Sequence, residues 1–141
     1  MVEIRFEYSG ELRCNAVHGP SAAALHTDAP VDNHGKGESF SPTDLVATAL
    51  GSCMLTVMGI AARKNGWDMD GATATVNKGM VADPRRRIGS LQVEIHMPHE
   101  LDAGAREQLE KIAHTCPVFE SLNPAIDVPV QFRWGAAASA G

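Results

Sequence analysis

The chain opens with strict alternation. Val2, Ile4, Phe6 and Tyr8 are separated by Glu3, Arg5 and Glu7, a period of two that predicts a half-buried strand. Ser9-Gly10 is a turn signal, and residues 12–17 return as the second arm of a hairpin. Gly19-Pro20-Ser21 interrupts the chain again, and residues 23–27 give a third strand. Residues 28–39, with Gly, Pro, Asn and Asp among them, read as a loop.

The pattern changes at Ser41. From Leu45 to Ala62 no residue is charged, and Cys53 lies in the middle of the run. Ser41 is a good N-cap and Pro42 suits the first helical position. Asp44, three residues after the cap, approximates a capping box. Arg63 and Lys64 favour the negative end of the helix dipole, and Asn65-Gly66 supplies a left-handed stop. A helix of roughly 23 residues is about 35 Å long. Apolar residues occur all round it, which predicts burial on most sides. Small residues at Ala47, Gly51 and Gly59 permit close packing.

Two strands follow, over residues 67–82 and 88–97. Asp83-Pro84-Arg85 makes the turn between them, so Arg85, Arg86 and Arg87 lie at or beside a hairpin tip. Residues 103–114 read as an amphipathic helix, with Leu109, Ile112 and Ala113 inward and Arg106, Glu107, Glu110 and Lys111 outward. Cys116-Pro117 begins a short helix that runs to Leu122, Asn123-Pro124 stops it, and residues 128–134 form a closing strand. The expected fold is α+β with a mainly antiparallel sheet and a long buried central helix. It occupies one domain, residues 1–134, and residues 135–141 (GAAASAG) read as a disordered tail.

Composition narrows the classes of function. The 141 residues suit a single core, and 44% hydrophobic with 21% charged residues is ordinary for a globular protein. A net charge of −5 argues against a nucleic-acid partner, and the three adjacent arginines read as a solvated turn. The uncharged run of 18 residues is at the short limit for a membrane span and contains Thr48, Gly51, Ser52, Thr56 and Gly59; a buried helix fits better. The N-terminus, MVEIRFEYSG, shows no secretory pattern, so a cytoplasmic location is the default expectation. There, three cysteines are reactive or simply buried thiols rather than a disulfide framework.

Cys116 precedes a helix-starting proline and so falls at an N-cap, where free N–H groups and the dipole favour a thiolate. The alternative is a small buried residue at a helix junction. Cys53 lies mid-helix with no terminus to help it, a position typical of structural cysteine. An arginine or histidine from elsewhere could activate it. Together, two thiols in separate helical elements can supply an attacking thiolate and a second thiol that traps the sulfenic acid. Spacing alone does not bring them together. Among the six histidines no spacing matches a zinc site. No metal or other cofactor is expected.

SPTDLVATALGSC followed by HTCPVFESL resembles the OsmC/Ohr family of thiol-dependent organic hydroperoxide reductases. Cys53 and Cys116 are 63 positions apart, and the order of strands and helices matches over most of the chain. The resemblance implies an OsmC-like fold in an intertwined homodimer, with sites at the subunit interface. It implies that Cys53 is the peroxide-attacking thiolate and that Cys116 resolves it as a Cys53–Cys116 disulfide. It implies organic hydroperoxides as substrates, hydrogen peroxide less well, and a dithiol reductant of the lipoyl type. The family's catalytic arginine, from the N-terminal strands, corresponds to Arg13. Its glutamate, directly after the leading proline, corresponds to Thr43, and the acid here is Asp44. One residue rotates a helical side chain by about 100°, so Asp44 is open between a catalytic and a capping role. This departure motivates an alternative: a non-enzymatic dimer that binds a small ligand or senses redox state.

Overall fold

The computed structural model describes residues 1–135; all of the expected tail after Gly135 lies outside them. The chain forms two compact units, Met1–Val46 and the remainder from Ala47 onward.

The first unit is an antiparallel meander of β1 (Ile4–Gly10), β2 (Arg13–His18) and β3 (Ala24–Asp28), in the order β1-β2-β3. The β1–β2 turn has only Glu11 and Leu12, both left-handed with φ of 54° and 63°. Two-residue hairpins favour this geometry because it matches strand twist, but they ordinarily use Asn or Gly for it. The Tyr8 hydroxyl accepts the Leu12 N–H at 3.2 Å and braces the turn. Arg13, the first residue of β2, stands directly opposite Asp28, the last residue of β3. A short 3-10 turn, Val31–Asn33, closes on His34 with φ 73°. Beyond it the loop is pinned to β3: a Cβ at Gly35 would overlap the Ala29 carbonyl oxygen, and the Asp28 amide donates to Phe40 O at 3.0 Å.

Alternation along β1 predicts one covered face. Ile4, Phe6 and Tyr8 do share a face, yet they are 50, 70 and 62% exposed, so the apolar side of β1 is uncovered in the single chain.

Helix α1 (Pro42–Asn65) begins in the first unit and continues through the second. Its start is a reciprocal capping box. Ser41 Oγ accepts the Asp44 N–H at 3.1 Å, and Asp44 Oδ2 accepts the Ser41 N–H at 2.9 Å. The buried residues are Ala47, Leu50, Gly51, Met54, Met58, Ala61 and Ala62, a 3.6-residue stripe rather than the burial on most sides expected. Ile60 remains 52% exposed. By length and composition α1 would be able to cross a bilayer, a property it shares with core helices of soluble proteins.

In the second unit β4 (Thr73–Val81) and β5 (Arg87–Met97) form the expected hairpin, and β6 (Val130–Trp134) joins β5 in parallel, giving the order β4-β5-β6. The parallel pairing was not expected. It requires a crossover, and helices α2 (Ala103–Ala113) and α3 (Pro117–Ser121) supply it. Alternate residues of β5, Leu91, Val93, Ile95 and Met97, are buried, as are Leu109 and Ala113 of α2. Gly51 lets α1 approach β4 closely: a Cβ there would lie 3.1 Å from Val76 Cγ2 and 4.0 Å from Ala74 Cβ.

Candidate functional site

The second unit brings Cys53 and Cys116 together. Cys53 is on the fourth turn of α1 and half-buried; Cys116 is fully buried at the N-cap of α3. Both are free thiols, and Cys53 lies close enough to Cys116 to raise its pKa. The cap works as the Cys-Pro junction predicts: Pro117 takes the first helical position and Cys116 Sγ accepts the Phe119 N–H at 3.3 Å. Its electrostatic outcome is the reverse of the expectation drawn from the helix end. Burial, the largest influence, pushes the Cys116 thiol above its ordinary 9.0; the Phe119 N–H pulls it down by less, and the neighbouring Cys53 pushes it up again. Cys116 is therefore held protonated beside Cys53.

This has a consequence for stability. A thiol whose folded pKa lies above its unfolded value stabilises the fold below the unfolded value and loses that contribution as pH rises through the folded one. The melting temperature of the reduced protein should fall as pH rises above 9.0. Cys116→Ala should flatten that fall, which a melting series across the alkaline range would measure.

The first unit holds the other two candidates. Arg13 is half-buried, with Nη2 at 3.1 Å from Glu38 Oε2 and 3.5 Å from Asp28 Oδ2. The hydrogen bond to Glu38 and the charge of Asp28 raise the guanidinium pKa further. Asp28 is 1% exposed, and its Oδ2 also accepts the Glu38 N–H at 3.0 Å. Sequence reasoning missed Asp28 and Glu38, although both stood in the loop before the helix. The available signal was the pairing of β2 with β3, which sets position 13 against position 28. Asp44 makes the capping contacts described above, and Thr43 Oγ1 lies 3.2 Å from Ser41 Oγ.

The remaining polar candidates have local partners. His96 Nε2 is 3.0 Å from Gly135 O, His99 Nε2 is 2.7 Å from Asp70 O, and His114 stacks edge-on against Phe119 at 5.9 Å between centroids. Among the described residues no group of three or more His, Cys, Asp or Glu could hold a metal ion. Cys14 lies on β2 opposite Tyr8 and Thr27.

Comparison with known proteins settles the family. The OsmC-like protein family matches residues 35–131, more than half of the chain and including both Cys53 and Cys116. The chain belongs to the OsmC-like family. Among solved structures, an osmotic stress induced and detoxification response protein from Psychrobacter arcticus is similar at 47% identity and a TM-score of 0.89, covering 94% of this chain and 96% of that one. An organic hydroperoxide resistance protein OsmC from Legionella pneumophila shares the fold at 16% identity and a TM-score of 0.76, over 94% and 96% of the two chains. An organic hydroperoxide resistance protein from Vibrio cholerae, with captopril bound in one of its active sites, shares it at 22% identity and a TM-score of 0.71, over 94% and 90%. No curated protein sequence matches. The α+β architecture with its antiparallel pairs is thus that of OsmC-like proteins.

Proposed function

We propose that this OsmC-like protein is a thiol-dependent peroxidase that reduces organic hydroperoxides, with hydrogen peroxide a poorer substrate. The observation that carries the reading is the placement of two free thiols side by side in the second unit, Cys116 buried at the N-cap of α3 and Cys53 half-buried on α1. The roles are assigned by resemblance, and a raised pKa at Cys116 supports them. The Cys53 thiolate attacks the terminal peroxide oxygen; an S–O bond forms, the O–O bond breaks, and the alkoxide leaves as alcohol after taking a proton. Cys53 is then a sulfenic acid. Cys116 gives up its proton and attacks that sulfur, forming the Cys53–Cys116 disulfide and releasing water. A dithiol reductant of lipoyl type reduces the disulfide through a mixed disulfide and leaves as its own cyclic disulfide.

Arg13 completes the reading by resemblance, as the cation that steadies the attacking thiolate and the developing oxyanion. Asp44 serves by seating α1, since its carboxylate is already engaged with the Ser41 amide. The working unit is a homodimer in the cytoplasm. The uncovered apolar face of Ile4, Phe6 and Tyr8 supports this, because burying such a face is the ordinary route to association.

The test is turnover. With cumene hydroperoxide and dihydrolipoamide the protein should consume peroxide over many cycles, and peroxide alone should produce one Cys53–Cys116 disulfide per chain, read by peptide mass mapping. Consumption that stops after one equivalent despite the dithiol would favour the alternative of a redox-sensing or small-ligand-binding dimer, whose motivation is Thr43 in place of the reductases' glutamate.

A further inference from the structure

We propose that Asp28 and Glu38 are positioning residues for Arg13. The inference rests on the peroxidase reading and concerns the first unit, where all three side chains meet.

Three features set this cluster apart from an ordinary surface ion pair. The first is its construction. Arg13 Nη2 is shared between Asp28 Oδ2 at 3.5 Å and Glu38 Oε2 at 3.1 Å. The same Asp28 oxygen accepts the Glu38 N–H at 3.0 Å, so the two acids are linked to each other as well as to the arginine. The second is that the two acids differ. Asp28 is 1% exposed and fixed by pairing across β2 and β3, whereas the Glu38 side chain is 61% exposed. One carboxylate is a buried anchor and the other is a solvent-facing brace. The third is that the cluster is not built for stability. Arg13 Nε and Asp28 Oδ1 are buried without a hydrogen-bond partner. An isolated donor and acceptor of this kind oppose folding, and a position serving the fold alone would have both satisfied or both apolar. Sites that violate local rules in this way are characteristically functional.

The chain around the cluster is held to match. Glu11 and Leu12 take left-handed conformations immediately before Arg13. The Ala29 N–H donates to Leu12 O at 3.2 Å, and the Gly37 N–H donates to Ala29 O at 3.2 Å. The turn before Arg13 and the loop bearing Glu38 are therefore stitched to the same residue. Loss of either acid frees a long side chain to sample several rotamers, and an arginine that is only partly in place gives up catalytic orientation rather than charge.

The experiment is a set of second-order rate constants for oxidation by cumene hydroperoxide in stopped flow, each paired with a thermal melt. Glu38→Gln and Asp28→Asn should each slow the reaction about tenfold or more per folded molecule. Glu38→Asp should restore most of the rate. The double variants Arg13→Ala/Glu38→Gln and Arg13→Ala/Asp28→Asn should be no slower than Arg13→Ala alone, since the acids act through the arginine. Glu38 is mostly exposed, so its variants fold whatever becomes of Asp28→Asn. A structural role would instead lower the melting temperature with the rate per folded molecule unchanged; that result, or losses that add to that of Arg13→Ala, overturns the proposal. The Cys53→Ser variant separates the two readings. If it is inert while the acid variants match the parent, the positioning proposal alone falls; if it reacts like the parent, the peroxidase reading falls and the proposal with it.

Discussion

Cys53→Ser should slow the reaction with cumene hydroperoxide by at least about a hundredfold, because an alcohol is a far weaker nucleophile than a thiolate at neutral pH. Cys116→Ser should behave differently. Its first oxidation should keep a rate within about threefold of the parent, since the attacking sulfur is untouched, yet turnover should stop. With no resolving thiol, the Cys53 sulfenic acid has no internal partner and is open to a second peroxide. Mass mapping should then find Cys53 carrying two oxygens rather than a disulfide. The contrast follows from the proposed roles and fits the site, where Cys116 is buried and its pKa is raised beside Cys53. If the two variants exchange behaviours, Cys116 is the attacking thiol and the roles are reversed.

Much of this was legible in the sequence where a residue's effect is local. Ser41, Pro42 and Asp44 announce the cap of α1, and the structure contains both of its reciprocal hydrogen bonds. Cys116-Pro117 announces the start of α3 in the same way. Other features were not legible, because they depend on what lies across space. Helix-end reasoning gives Cys116 a stabilised thiolate, but burial outweighs the terminal N–H groups, and burial is set by the packing around the junction. Alternation in β1 predicts a covered face without saying what covers it, and Phe6 remains 70% exposed. The burial expected on most sides of α1 came from composition, whereas the single chain covers a stripe. Asp28 and Glu38 looked like loop polarity until strand register set Asp28 opposite Arg13.

The second large effect concerns the stripe itself. Leu50 lies on the buried side of α1 with no exposed surface. Leu50→Ala should destabilise the second unit by about 2–5 kcal/mol, combining lost transfer free energy with a cavity that a close-packed interior fills poorly. Stabilities of whole domains are only about 5–15 kcal/mol, so the effect should appear as a large fall in the urea midpoint. Ile60→Ala, one face away and 52% exposed, should change the midpoint of the single chain little by comparison. A small effect at Leu50 would show that the stripe is not the core of this unit.

The parallel seat of β6 beside β5 bears on synthesis as well as on architecture. The β4–β5 hairpin can zip as soon as its own residues leave the ribosome, because its partners are neighbours in the chain. β6 is the last strand described, and its place in the sheet stays vacant until α2 and α3 have been made. A nascent chain of this protein therefore carries Cys53 for as long as it takes to translate the next 63 residues, before its proposed resolver Cys116 exists. On the proposed mechanism, a peroxide burst during that interval meets Cys53 with no resolver, so newly made protein should be the fraction most easily lost to overoxidation in stressed cells.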